Sequence, residues 1–223
     1  MAIDGYYRGQ KGKISKKIVP IFSIGHYVPF SKGEDTFSKE LNYFYKYGND
    51  EYMNHFLDLF KDLYDRRFKE DVHFDYVCVA PSSSLNFINE NMKKLVFSFS
   101  QYTKIPYSNI LRRNRTIKKQ HELNKINERI ENVKNSISIE CIDISNKNIL
   151  VFDNTSISGL SCEEILIELK RKGAEKVIFF CIGLGFKHKE FDFDINSNTT
   201  LKATHIIENW HWPKSDKRKL KRN

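Results

Sequence analysis

The sequence predicts an α/β fold in which a parallel sheet is flanked by helices. Three observations predict it. Residues 76–80 (YVCVA) and 148–152 (NILVF) are short and almost wholly apolar, as strands covered on both faces of a sheet must be. Each is followed by a small polar loop and then by apolar residues at helical spacing. The stretch from 148 to 184 reads strand, helix, strand within about 35 residues, the size of a βαβ unit whose parallel strands take a right-handed crossover.

Taken in order, residues 18–30 (IVPIFSIGHYVPF) are β-branched and aromatic but interrupted by Pro20, Gly25 and Pro29, and predict short strands with turns. Between 35 and 69, Phe37, Leu41, Phe44 and Tyr45, then Phe56, Leu57, Phe60, Leu63 and Tyr64, recur at helical spacing, and Gly48, Asn49 and Asp50 separate the two helices. Their aromatic rings are read as core. After the first central strand, residues 85–102 set Phe87, Ile88, Met92, Leu95, Val96 and Phe99 in a helical repeat. Residues 162–172 give the helix of the βαβ unit, stopped by Gly173, and 177–184 give its second strand. Residues 205–212 are read as a further strand, in which Trp210 and Trp212 share one face.

The chain of 223 residues suffices for one core with a small appended hood. Hydrophobic residues make up 40% and charged residues 29%, the balance of a folded rather than a disordered chain. We expect a single domain over residues 1–213, with an N-terminal hood and helices over 1–70, a core over 71–185, and a C-terminal hood or edge strand over 186–213. A basic flexible tail over 214–223 follows. The first residues, MAIDGYYRGQKGK, hold no continuous apolar run, and the longest one elsewhere, residues 177–185, is far shorter than the roughly 20 residues of a membrane span. The expectation is a cytoplasmic protein with no membrane partner.

Several chemistries find no support. Cys78, Cys141, Cys162 and Cys181 are scattered without a C-x-x-C pair, as buried reduced thiols would be. The seven histidines include no H-x-x-x-H pair, and neither a G-x-S-x-G elbow nor a Walker lysine motif occurs. The formal charge of +9 favours polyanions, and much of it is local, in residues 112–119 and 214–222.

The chemistry-bearing stretch is residues 149–161 (ILVFDNTSISGLS), which runs from a buried strand through a small polar loop into a helix. At the carboxyl edge of a parallel sheet such a loop meets ligands, and the helix that follows offers N–H groups and a positive dipole end to an anion. Gly159 lets backbone approach phosphate closely, and Ser158 and Ser161 add hydroxyl donors. A strand-to-helix turn whose serines only cap the helix fits the same pattern.

This stretch resembles the motif of type I phosphoribosyltransferases: four apolar residues, two acidic residues, a spacer and a Thr-Thr-Gly-x-Thr-like phosphate loop. The resemblance implies that Asp153 and Asn154 are the catalytic pair. Asp153 would bind ribose hydroxyls directly or through Mg2+, and Ser156, Ile157, Ser158, Gly159, Leu160 and Ser161 would surround a 5′-phosphate. Asn154 stands at the second acidic position and Ile157 at that of the first loop threonine. An amide at 154 hydrogen-bonds a ribose hydroxyl but brings no negative charge to a metal or to a developing oxocarbenium cation.

Residues 111–133 (LRRNRTIKKQHELNKINERIENV) resemble the segment that precedes this loop in the ComF family of predicted phosphoribosyltransferases, through Gln120, Leu123, Arg129, Asn132 and Val133. That resemblance implies a mobile loop closing over the reacting centre, with Arg113, Arg115, Lys119, Gln120 and His121 near pyrophosphate charge. A solvated basic helix fits the charge pattern equally well. By position, Pro81, Ser82, Ser83 and Ser84 match the family's pyrophosphate loop, although serines after a strand are also ordinary loop composition. The family's N-terminal cysteine cluster is missing, so no zinc is expected.

The function these residues predict is binding of 5-phosphoribosyl 1-diphosphate with Mg2+, and, if Asn154 permits catalysis, transfer of the phosphoribosyl group to a base or amine with release of pyrophosphate. The alternative is a non-enzymatic nucleotide or phosphoribosyl diphosphate binder acting with DNA. The ComF association with DNA uptake, Asn154 and the basic tail KSDKRKLKR favour that alternative. Type I relatives often dimerise, so a homodimer is an assembly the resemblance admits.

Overall fold

The computed structural model describes residues 2–8, 14–29, 33, 35–119, 122–123, 125–140, 142–185 and 190–191. Three strands, β1 (Ala2–Arg8), β2 (Ile14–Val19) and β3 (Ile21–Tyr27), precede two helices, α1 (Thr36–Tyr47) and α2 (Asp50–Arg67). Strand β4 (Tyr76–Val79) leads to α3 (Glu90–Thr103), and β5 (Leu111–Arg113), α4 (Ile126–Val133) and β6 (Ile137–Ile139) follow. The chain continues through β7 (Asn148–Ser156), α5 (Leu160–Arg171), β8 (Lys176–Gly185) and β9 (Glu190–Phe191).

The central sheet has the order β3-β8-β7-β4, and every pairing in it is parallel, with Ile21 opposite Phe179, Ile149 opposite Val177 and Tyr76 opposite Ile149. Alternation along its strands builds two apolar layers. Val77, Val79, Leu150, Phe152, Ile178 and Phe180 face α1, α2 and α3, whereas Cys78, Ile149, Val151, Val177 and Phe179 face α5 and the β5–β6 ribbon. Rings dominate the first layer. Phe60 stacks on Phe180 at 5.6 Å and meets Phe152 edge-on at 5.0 Å, with Phe99 edge-on to Phe152 at 4.9 Å. Such pairs add about 0.5–1.5 kcal/mol each beyond the burial of their area. Phe37, Phe44, Phe56, Phe60 and Tyr64 are thus core, whereas Tyr43 and Tyr47 are exposed.

Local chemistry ends the helices where the chain must turn. Asp35 caps α1 by accepting the Ser38 N–H at 2.8 Å, and Gly48, with φ 77°, closes the helix in the left-handed region that glycine favours. Asn49 caps α2 by accepting the Tyr52 N–H at 2.9 Å. The carboxyl end of α1 is clamped by α3, because Asn91 donates to the carbonyls of Phe44 and Tyr45 and Asn89 donates to that of Tyr45.

The structure adds to or differs from the sequence reading at α3, at β7 and at the β5–β6 ribbon, and it places β3. Helix α3 starts at Glu90 rather than near 85, because Asn86 takes a left-handed φ of 52° and Asn89 is the cap. Strand β7 continues to Ser156 rather than stopping at Phe152, since Thr155 and Ser156 still pair with Gly183 and Leu184. Residues 21–27, within the stretch read as short strands with turns, form an edge strand of the central sheet, while β1 pairs antiparallel with β2 and β9. The short β5–β6 ribbon is antiparallel and had no periodicity to announce it.

The β4 edge is covered by its own chain: the Val77 N–H donates to the Pro106 carbonyl and the Ser108 N–H to that of Val77, both at 2.9 Å. Among the described residues no helix is long and apolar enough to cross a membrane. The strand expected at 205–212 and the tail at 214–223 lie outside the described residues.

Candidate functional site

Two loops meet at the carboxyl edge of the central sheet. The first joins β7 to α5. Because β7 stays paired through Ser156, only residues 157–159 make the turn. Its strand neighbour is bare for a reason: a Cβ on Gly185 would lie 2.9 Å from the Ile157 Cα, so only glycine lets the turn sit so close to β8. Gly159 has φ 71°, and nothing lies within 4 Å of where its Cβ would be, so glycine is present for conformation and the space beside it is open.

Helix α5 starts at that open point with no side-chain cap, and its first hydrogen bond runs from the Glu163 N–H to the Gly159 carbonyl at 2.8 Å. A helix beginning this way presents backbone donors that an anion can accept. Ser158 and Ser161 are half-buried beside it. Ser156, expected among the phosphate contacts, is buried instead, and its hydroxyl accepts from the Cys162 thiol at 3.9 Å. Leu160 is buried against Ile117, Ile130 and Val133, while Ile157 is half-buried.

Asp153 precedes the turn, half-buried, with Oδ1 accepting the Asn154 N–H at 2.8 Å. Desolvation pushes its carboxyl up to about 7, against the opposing pull of that N–H and of the Arg113 charge. Tyr45 of α1 lies within reach of the same field: burial first, and then the Asp153 charge, push its phenol up to about 12.

The second loop follows β4. Pro81 is buried, Ser82 and Ser83 are half-buried and Ser84 is exposed. The loop closes on itself where the Ser82 N–H donates to the Phe87 carbonyl at 2.9 Å and the Phe87 N–H to that of Ser84 at 3.2 Å. Residues 113–117 hold it from outside. The Ile117 N–H donates to the Ser83 carbonyl at 2.8 Å, the Asn86 N–H to the Arg113 carbonyl at 3.0 Å, and the Leu85 N–H to the Thr116 hydroxyl at 3.1 Å.

The described residues of the basic segment include Ile117, which bonds the Ser83 carbonyl, and Ile130 and Val133, which pack on Leu160. Arg113 is 2% exposed, and its guanidinium donates to the Ser82 carbonyl at 3.0 Å and to the Ser136 hydroxyl at 2.6 Å. Burial lowers its pKa to about 10, partly offset by the charges of Asp153 and Glu164. Arg115 is exposed but bonded, donating to the carbonyls of Asn132 at 3.0 Å and Lys134 at 2.9 Å at the end of α4. Lys119 is exposed, and Gln120 and His121 lie outside the described residues.

The positions that carry the ComF-like spacing shape this segment. The Asn132 amide accepts the Lys118 N–H at 3.0 Å and donates to the Lys118 carbonyl at 2.8 Å. Arg129 donates to the Leu123 carbonyl at 2.8 Å, and Val133 is buried against Leu160.

Solved phosphoribosyltransferases are among the structural neighbours. A purine phosphoribosyltransferase from Pyrococcus horikoshii Ot3 matches 59% of this chain and 71% of its own, at 17% identity and a TM-score of 0.37. A hypoxanthine phosphoribosyltransferase from Staphylococcus aureus matches 63% of this chain and 78% of its own, at 10% identity and a TM-score of 0.37. The allosteric regulatory enzyme of purine biosynthesis matches 58% of this chain at 19% identity and a TM-score of 0.40, and this chain spans only 26% of that protein's length. No protein-family model and no curated protein matches the sequence.

Three residues at this edge escaped the sequence reading. Tyr45 looked like one more core aromatic, and its adjacency to Phe44 hid its different environment. Ser136 and Glu164, both buried, carry no motif. The only signal for Glu164 was an acidic pair inside an otherwise apolar helical face.

Proposed function

We propose that the chain binds 5-phosphoribosyl 1-diphosphate across these two loops and passes its phosphoribosyl group to a base or amine, releasing pyrophosphate. The observation that carries this reading is the turn at 157–159, where left-handed Gly159 opens an uncapped helix just beyond a half-buried carboxylate. A 5′-phosphate there would meet backbone N–H groups and the positive end of the helix dipole. Ser158 and Ser161 would add hydroxyls, Asp153 would face the ribose, and the diphosphate would extend toward residues 82–84. In the transfer the bond from C1′ to the diphosphate oxygen breaks, its electron pair leaves with pyrophosphate, and the acceptor nitrogen forms the new bond to C1′.

Mg2+ fits this donor set as a companion of the substrate. The ion is commonly held by one or two carboxylates together with substrate phosphates, and Asp153 supplies one carboxylate, with Oδ1 already accepting the Asn154 N–H. When bound, Mg2+ would neutralise charge on the departing diphosphate.

Asn154 favours a second reading, a ComF-like nucleotide or phosphoribosyl diphosphate binder acting with DNA, because an amide cannot stabilise positive charge at the ribose as a carboxylate does. Calorimetric titration with 5-phosphoribosyl 1-diphosphate, with and without Mg2+, tests what both readings share. The expected result is Mg2+-dependent binding that disappears in Asp153→Ala; absence of binding to the unaltered protein overturns both. Asn154→Asp then separates them. A rise in turnover supports a weakened enzyme, whereas unchanged activity together with DNA binding that depends on residues 214–223 supports the binder.

A further inference from the structure

Arg113 heads the fully buried side chains by size, and its hydrogen bonds among the described residues go to Ser82, Pro81 and Ser136. Its fork gathers neutral acceptors. Nε donates to the Ser82 carbonyl at 3.0 Å, Nη2 reaches the Pro81 carbonyl at 3.5 Å, and Nη1 donates to the Ser136 hydroxyl at 2.6 Å. That hydroxyl donates onward to the Val133 carbonyl. Val133 is in turn buried against Leu160, the first residue of α5. A continuous buried chain of hydrogen bonds and packing therefore runs from the loop after β4 to the helix whose first residue follows Gly159.

This chain has a directional consequence. Across a trans peptide, the carbonyl and the following N–H point to opposite sides, and no cis peptide occurs among the described residues. Drawing the Ser82 carbonyl inward to Arg113 therefore turns the Ser83 N–H away from the interior. Lysine cannot reproduce this, because its ammonium lacks the rigid planar fork that holds several acceptors at once.

We propose that Arg113, Ser136 and Val133 form a buried strut that fixes the separation of the two anion loops, so that the site selects a ligand with a phosphate at one end and a diphosphate at the other. Arg113 is then a positioning residue and does not touch the ligand. The inference rests on the phosphoribosyl diphosphate reading above.

The test compares the unaltered full chain with Arg113→Lys and Ser136→Ala, each checked for folding by circular dichroism and urea unfolding. Each is titrated with 5-phosphoribosyl 1-diphosphate and with ribose 5-phosphate in the presence of Mg2+. The expected result is a loss of about tenfold or more in affinity for the diphosphate ligand, the scale of one charge-assisted hydrogen bond, with ribose 5-phosphate changed by less than about twofold. Equal weakening toward both ligands, or unchanged diphosphate affinity, overturns the strut. Should Arg113→Lys fail to fold, Ser136→Ala, which removes one hydroxyl, decides by the same comparison. Failure of the unaltered protein to bind either ligand overturns the functional reading and the strut together.

Discussion

The two ends of the central strands treat their carboxylates in opposite ways. At the amino edge, Asp75 accepts the Asn148 N–H at 2.8 Å and the Lys147 ammonium at 3.1 Å. Desolvation works to raise its pKa, but those partners outweigh it and hold the carboxyl below its usual value. At the carboxyl edge, Asp153 accepts a neighbouring N–H, and desolvation prevails. The glycines repeat the contrast: a Cβ on Gly173 would meet the Ser145 Cα at 3.3 Å, whereas a Cβ on Gly159 would meet nothing. One edge is finished by its own chain, and the other leaves open space beside Gly159. Local rules of satisfaction are broken at sites that do chemistry.

The largest effect that would sharpen this contrast is on binding. Asp153→Asn is expected to weaken 5-phosphoribosyl 1-diphosphate binding on the order of a hundredfold, as loss of a charged partner does, while leaving stability unchanged or raised. A clear fall in the urea midpoint would break the comparison. Asp75→Asn should do the reverse, lowering unfolding free energy by about 1–2 kcal/mol with no change in ligand affinity.

The Asp75 contribution has a definite pH window. Because its folded pKa is lowered, the stabilisation is present above the unfolded value of about 3.9 and is lost as pH falls through the folded one. The stability gap between the unaltered protein and Asp75→Asn should hold constant above about pH 5 and close below about pH 4. A gap that widened in acid would contradict the ion-paired amino edge.

Smaller effects separate the glycines. Gly159→Ala should cost about 1–2 kcal/mol, from left-handed backbone alone, and Gly173→Ala more, because Ser145 must also shift. Equal costs would mean that the space beside Gly159 is not open. The smallest change is Thr116→Val, which removes the exposed acceptor of the Leu85 N–H and should lower stability by less than about 1 kcal/mol.

Much of this contrast was legible in the sequence where its cause is local. The strands β4, β7 and β8 announce themselves as apolar runs, and Gly159 and Asp153 stand out because a strand-to-helix turn must be built from adjacent residues. Arg113 could not be read this way. In residues 112–119 it is one base among several, and only the distant Ser82 and Ser136 reveal that it is buried. The start of α3 was missed for a similar reason: Phe87 and Ile88 continue the helical spacing, but Asn86 turns left-handed under bonds from residues 113–117. The β5 and β6 strands, three residues each, are too short to show a period of two.

The parallel register also implies an order of assembly. Ile149 meets Val177 within one βαβ unit, Tyr76 must find Ile149 across a much longer loop, and Ile21 must find Phe179 across nearly the whole core. Closing longer loops loses more chain entropy before any contact rewards it. The half of the site built on Asp153 and Gly159 should therefore gain its amide protection early in refolding, and the serine loop, which waits for β4 and Arg113, should gain it later. The nascent chain would hold the turn at residues 157–159 before the loop at residues 82–84 had its strand.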